Sequence, residues 1–252
     1  MKKKSFLNRE KPLLTLLFSP PSAESAIRDV RRALEDGVEA FCIQTEALRS
    51  EDRNPEGYKR IFSAMGNCPV YVTNYRHHAN EHATDEKIAD GLLELAHCGA
   101  TLCDIMGDLF DPQPGEMTTN PEAVDKQMAL VEQLHAAGAE VLMSSHVLQY
   151  APVQRVLEIA HNQQSRGTDI VKIVTGADTM EQQLENLRIT NLLKQKLKVP
   201  FLFLSGGVCE IHRRIGPMLG CCMYLCSLDD NVEPKPVQPM LRKTKQIWDN
   251  WT

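Results

Sequence analysis

The sequence has no apolar stretch near the ~20 residues that a membrane-spanning helix requires, so a membrane protein of helical type is not expected. It has no surplus of positive charge. Its net charge of −5 argues against nucleic acid or an anionic membrane as the main partner. It has no low-complexity segment, no interdomain linker and no strong internal repeat, which points to a single domain over residues 1–252. Its eight cysteines, Cys42, Cys68, Cys98, Cys103, Cys209, Cys221, Cys222 and Cys226, contain no Cys-x-x-Cys pair. That argues against a zinc site and a redox motif, and free thiols in a reducing compartment are expected. Met1-Lys2-Lys3-Lys4 resembles the start of a signal peptide, but Arg9, Glu10 and Lys11 interrupt what would be its apolar core. The chain therefore reads as cytoplasmic.

What is present is alternation. Short apolar runs predict eight strands: Leu13–Phe18, Ala40–Gln44, Val70–Thr73, Thr101–Met106, Glu140–Ser144, Asp169–Val174, Phe201–Ser205 and Cys221–Cys226. Amphipathic runs between them predict helices at Ser22–Leu34, Tyr58–Met65, Asp85–His97, Pro121–Ala137, Pro152–Gln164, Met180–Lys196, Cys209–Leu219 and Val237–Trp248. Strands that alternate with helices imply βαβ units and a parallel sheet. Eight units in 252 residues predict one closed (β/α)8 barrel. The longest loops, Asn74–Thr84, Gly107–Asn120 and Ser227–Pro236, then fall at the C-terminal ends of strands, where barrel active sites form.

Within this frame Lys172 stands out, in the run Asp169-Ile170-Val171-Lys172-Ile173-Val174. An ammonium in a strand buried on both faces is desolvated, which favours the neutral amine and makes it a nucleophile able to form a Schiff base. The alternative is a lysine paired with a buried carboxylate or reaching the rim of the sheet. His146 lies at the end of the neighbouring predicted strand, in Leu142-Met143-Ser144-Ser145-His146. It reads either as a proton shuttle beside the amine or as a loop histidine bonded to backbone.

Ser144-Ser145-His146-Val147-Leu148-Gln149-Tyr150-Ala151-Pro152, followed by Gly167-Thr168-Asp169-Ile170-Val171-Lys172-Ile173, resembles the core of type I 3-dehydroquinate dehydratases. That family carries Ser-x-His-(Asp/Asn)-Phe-x-x-Thr-Pro and then Gly-Ala-Asp-(Ile/Val)-Val-Lys-Ile at similar separation. The resemblance implies a (β/α)8 lyase that needs neither cofactor nor metal, takes a small keto acid and forms a homodimer. It implies Lys172 as the Schiff-base nucleophile and His146 as the acid–base group. Ser205-x-Gly207 followed by Arg214 resembles the family's Ser-Met-Gly…Ser-Arg, which implies Arg214 as the carboxylate anchor, with Arg213 in place of the serine. Pro236-Val237-Gln238 resembles Pro-Gly-Gln and implies that Gln238 contacts substrate hydroxyls. Asp104 matches the first acid of Asp-x-Glu on the fourth strand.

The departures from the family pattern lie around the substrate. Its Glu-x-Arg-x-Asp on the second strand becomes Cys42-Ile43-Gln44-Thr45-Glu46. The glutamate on the fourth strand becomes Met106, and the lid serine becomes Pro234. After the third strand the family's Thr-x-Arg meets Thr73-Asn74-Tyr75-Arg76, where Arg76 takes the arginine's place with a one-residue shift. Cys42 and Gln44 thus replace a substrate-facing acid and base. Two functions follow beside plain dehydration of 3-dehydroquinate: a class I aldolase-like enzyme on another oxo acid, or a non-catalytic metabolite-binding barrel. His77-His78…Glu81-His82 fits no standard zinc spacing and reads as a loop on the active face, Asp108 and Asp111 as turn residues, and Trp248 and Trp251 as packing for the last helix.

Overall fold

The computed structural model describes residues 5–207, 211–229 and 237–250. Among these residues eight parallel strands alternate with eight α-helices: β1 (Leu13–Phe18), α1 (Ala23–Glu35), β2 (Ala40–Gln44), α2 (Pro55–Ala64), β3 (Val70–Thr73), α3 (Asp85–His97), β4 (Leu102–Met106), α4 (Pro121–Ala136), β5 (Glu140–His146), α5 (Val153–Ser165), β6 (Ile170–Ala177), α6 (Met180–Lys196), β7 (Phe201–Gly207), α7 (Ile211–Leu219), β8 (Met223–Cys226) and α8 (Leu241–Asp249). The ladder runs β7-β6-β5-β4-β3-β2-β1-β8, a nearly closed (β/α)8 barrel. At the seam, the Cys222 N–H donates to the Phe201 carbonyl at 2.9 Å.

Helix starts follow local chemistry. Ser22 caps α1 and exchanges bonds with Ser25, satisfying N–H groups that the first turn leaves free. Asn54 caps α2 with Pro55 in the first turn, so this helix begins three residues before the predicted Tyr58. The last helix begins later than predicted, at Leu241. Pro239 biases the residue before it toward extended backbone, and the segment bridges to Ser227 instead, with the Leu241 N–H donating to the Ser227 carbonyl at 2.8 Å. Val208, Cys209, Glu210, the Asp230–Pro236 segment with Pro234, and Trp251 lie outside the described residues.

Strand alternation sorts the core into two shells. Leu14, Leu16, Phe41, Ile43, Val70, Val72 and Ile105 face the helices and bury against Val30, Ile61, Ile88 and Leu92. Each such side chain contributes ~1.5–3 kcal/mol by leaving water. Residues of opposite parity fill the barrel. Leu13, Ala40, Tyr71, Leu102, Leu142, Ile170 and Met223 belong to one buried cluster. Above them Cys42 pairs with Tyr71 across β2–β3, and Ser144 pairs with Lys172 across β5–β6. The apolar lower layer leaves the polar chemistry to the C-terminal half. No helix among the described residues is long and apolar enough to cross a membrane.

Candidate active site

Lys172 points into the barrel and is 5 % exposed. Its amine is not alone there. Nζ donates to Tyr71 Oη at 2.9 Å, to Tyr75 Oη at 2.8 Å and to Asp104 Oδ2 at 3.1 Å. An ammonium has three donors, and this cage supplies three acceptors. The amine is thus paired with a buried carboxylate, Asp104. Both phenols also donate to Asp104 Oδ2. Burial first, and the Asp104 charge second, push both tyrosine hydroxyls well above their ordinary range, so they stay protonated and act as donors. Asp104 Oδ1 is buried and has no hydrogen-bond partner among the described residues.

His146 ends β5, two residues beyond the strand partner of Lys172. Its Nδ1 lies 2.6 Å from Glu116 Oε2, and its backbone N–H donates to the same oxygen at 3.1 Å. A carboxylate at Nδ1 favours the tautomer with the ring proton on that nitrogen, which leaves the Nε2 lone pair open. The Tyr75 ring meets the His146 ring edge-on at 5.4 Å, so Tyr75 stands between the histidine and the lysine. Gln163, from α5, ties the two strands together. Its amide donates to Ser145 Oγ at 3.0 Å and to the Lys172 carbonyl at 3.1 Å, and its Oε1 accepts from the Lys172 N–H at 3.1 Å.

The loop that carries Glu116 is held from beneath. Arg166 is 3 % exposed and donates to the carbonyls of Gly107 and Thr118 and to the Gln127 side chain. Burial without a carboxylate partner pulls its guanidinium down to about 10. Ser145 Oγ donates to the Glu116 carbonyl at 2.6 Å. A Cβ on Gly107 would stand 2.7 Å from the Glu116 carbonyl oxygen, so the close approach of this loop requires glycine.

Other residues singled out in the sequence separate into two groups. Cys42 is buried, and burial pushes its thiol well up. Gln44 accepts from Ser19 Oγ. Arg76 is committed to structure: it makes a two-pronged bond with Asp85 at 2.7 and 2.8 Å and reaches Asp108 at 2.7 Å, joining the loops after β3 and β4. Tyr75 therefore holds the unshifted position of the family's arginine. Arg214 is exposed on α7, whereas Arg213 is buried and donates to Gln238 Oε1 at 3.2 Å. Glu46 is fully buried, bonded by the Thr73 hydroxyl at 2.9 Å and 3.6 Å from His77 Nε2. Burial pushes its carboxyl up to about 7. Among the described residues no group of three or more His, Cys, Asp and Glu side chains is placed to hold a metal ion.

Sequence reasoning missed Glu116, Tyr71 and Tyr75. Glu116 lies in a long loop with nothing in its spacing to mark it. Tyr71 sits one strand turn from Thr73 on the inward face, a polar-tipped aromatic in an apolar run, which was a usable signal. Tyr75 was visible wherever Thr73-Asn74-Tyr75 was read without a shift.

A lysine on the sixth strand of a (β/α)8 barrel, with a histidine–carboxylate pair at the end of the fifth, defines a barrel that gathers a buried amine and an imidazole at one end. The model of the type I 3-dehydroquinase family matches residues 20–250, and the chain belongs to that family. No curated protein sequence matches the chain. Among solved structures it is similar to a type I 3-dehydroquinate dehydratase from Clostridium difficile with covalently modified comenic acid, at 17 % identity and TM-score 0.80 over 100 % of this chain and 98 % of that one. It is similar to 3-dehydroquinate dehydratase from Enterococcus faecalis, at 17 % identity and TM-score 0.78 over 98 % of both chains. The Geobacillus kaustophilus enzyme of that name matches at 13 % identity and TM-score 0.77, over 96 % of this chain and 93 % of that one. At these identities the structures establish the fold. Family and fold together support a dehydroquinate dehydratase-like hydro-lyase with a small-molecule substrate.

Proposed function

We propose that the protein is a hydro-lyase that dehydrates a cyclic keto acid of the 3-dehydroquinate type through a Schiff base on Lys172. The observation that carries this reading is the amine of Lys172 at the polar end of the barrel beside the His146–Glu116 dyad. The Lys172 nitrogen attacks the ketone carbon and water leaves, forming an iminium. The iminium draws electrons from the adjacent C–H bond, and His146 Nε2 takes that proton. The electron pair then expels the hydroxyl one carbon further on, which leaves as water with the proton from His146, and a water molecule hydrolyses the conjugated iminium to return the ketone and the free Lys172 amine. Proton transfer by a placed histidine is worth ~10²–10⁴-fold. In this reading Arg213 with Gln238, rather than the exposed Arg214, holds the carboxylate, since a guanidinium presents a fork that matches it. Covalently modified comenic acid in the C. difficile relative supports covalent chemistry with a small acid on this fold.

Incubation with 3-dehydroquinate and borohydride tests the reading. A reduced adduct on Lys172 by mass spectrometry, absent in Lys172→Ala, together with absorbance of a conjugated product, is the expected result. No adduct and no product would overturn it. A second reading, an aldolase-like Schiff-base enzyme on another oxo acid, is favoured by Tyr75 at the family arginine's position and by Cys42, Gln44 and Met106 around it. A site built for hydroxyls loses partners with these changes. Adducts with other oxo acids but not with 3-dehydroquinate would select it.

A further inference from the structure

We infer that Tyr75 is a catalytic residue: it delivers a proton to the substrate's carbonyl oxygen while Lys172 forms its carbon–nitrogen bond, a role that rests on the imine reading above. Imine formation converts an ammonium and a ketone into an iminium and water. Two protons must leave nitrogen, and two must arrive on an oxygen that is only two bonds away. A group that touches the amine and can both accept and donate is needed there. His146 is not among the groups bonded to Nζ; those are Tyr71, Tyr75 and Asp104. Asp104 can accept a proton but carries none while ionised. The two phenols can do both.

Position chooses between them. Tyr71 lies within β3, opposite Cys42 and Leu102, and its ring rests edge-on against Phe6 at 6.3 Å, on the side away from the mouth. Tyr75 follows β3 at the C-terminal end, with its ring against His146 at 5.4 Å and His77 at 5.7 Å. A carbonyl entering at the mouth meets Nζ from the Tyr75 side. The Tyr75 hydroxyl is 2.8 Å from Nζ, bonds Asp104 Oδ2 and lies 3.2 Å from Ser144 Oγ, so it is linked to both a proton source and a proton store.

The steps balance. Lys172 passes one proton to the Asp104 carboxylate. The freed nitrogen pair forms the C–N bond as the carbonyl π pair moves to oxygen. Tyr75 gives its phenolic proton to that oxygen and regains one from nitrogen, leaving a carbinolamine. The C–O bond then breaks as the nitrogen pair forms C=N. The proton held by Asp104 reaches the departing oxygen through the Tyr75 hydroxyl, and water leaves. Asp104 returns to carboxylate, and the product is the iminium on Lys172.

The test is the time course of borohydride-trapped adduct on Lys172, with 3-dehydroquinate and in parallel with pyruvate, in the full chain and in Tyr75→Phe and Tyr71→Phe. Tyr75→Phe should slow adduct formation by ~10²–10⁴-fold, the worth of one placed acid, and Tyr71→Phe by less than about tenfold. Arylation of Lys172 by a nitroaryl fluoride, which has no carbonyl oxygen to protonate, should keep its rate within a few-fold in Tyr75→Phe. Fluorinated tyrosine at position 75, which keeps the packing and changes only the acidity, should shift the adduct rate and not the arylation rate. Adduct formation at the unmodified rate in Tyr75→Phe overturns the role of Tyr75 and leaves the imine intact. An equal loss of arylation shows that Tyr75 only exposes the amine, and also overturns it. No adduct with either acid in the unmodified chain overturns the imine and the role of Tyr75 with it.

Discussion

Glu46 carries a pH dependence that belongs to one side chain. Burial holds its carboxyl at about 7 against an ordinary 4.5. The folded chain therefore keeps a proton that the unfolded chain has already released over that interval. Its contribution to stability is full below about pH 4.5, declines as pH rises to about 7, and is level above that. The loss is on the order of 3 kcal/mol. Glu46→Gln removes the titration and keeps an oxygen for the Thr73 hydroxyl. Urea unfolding should show the substituted chain gaining on the unmodified one between pH 5 and pH 8, and an equal difference at both pH values would refute the assignment. The two arginines of α7 give a second residue-scale test. Losing a charge-assisted bond costs ~1.5–3 kcal/mol, so Arg213→Ala should raise KM for the keto acid by about 10- to 100-fold, while Arg214→Ala leaves KM within about twofold. The opposite pattern would restore Arg214 as the anchor. Lys172 and His146 were legible as candidates because a charge in an apolar strand and a histidine at a strand end are local signals. Arg213 was not, because adjacent residues on a helix differ by only 100° of rotation, and spacing alone does not say which of two arginines turns inward.

At the scale of elements, β1, β2, β3, α3 and α6 have the bounds that their patterns predicted, since hydrophobic period and capping agree there. The ends of β5, β6 and β7 run longer than predicted, through His146, Ala177 and Gly207. These ends are polar or glycine-rich, and neighbour pairing holds them extended: Thr175, Gly176 and Ala177 pair with Ser205, Gly206 and Gly207. Such pairing is a property of two strands, so neither sequence segment announces it alone. The β4–α4 loop is the clearest case of an element whose role depends on its support. Glu116 sits in the left-handed region at φ 49°, which a non-glycine residue adopts only when its surroundings hold it. Arg166, Ser145 and Gly107 are those surroundings. Gly107→Ala would place a methyl 2.7 Å from the Glu116 carbonyl and 2.9 Å from Ser145 Oγ, so the loop must retreat. We expect a loss of ~1–3 kcal/mol in urea unfolding and a fall in kcat of about tenfold or more, because His146 loses its carboxylate. A destabilised chain with unchanged kcat would show that Glu116 does not orient the base.

At the scale of the whole molecule, the barrel separates stability from chemistry by height, and Phe6 connects the two. The segment before β1 crosses the N-terminal end of the barrel, where Ser5 and the Phe6 N–H bond the Glu140 carboxylate, the latter at 2.9 Å. Phe6 is 2 % exposed, and its ring supports Tyr71 from below. Tyr71 in turn bonds Nζ of Lys172. Removing the ring opens a cavity lined by the lower layer of the core, and core phenylalanines cost ~3–5 kcal/mol on truncation to alanine. Phe6→Ala should lose about that much in urea unfolding. The cavity lies under Tyr71, so this tyrosine gains freedom to drop away from Lys172, and the three-acceptor cage becomes a two-acceptor one. Phe6→Leu refills most of the volume and should recover most of the stability. If the barrel floor positions the amine, trapping of Lys172 by a keto acid slows in Phe6→Ala and returns toward the original rate in Phe6→Leu, at a temperature where both are folded. If trapping is equal in all three chains, the floor supports the fold alone, and the geometry around Lys172 is set from the mouth by Tyr75 and Asp104.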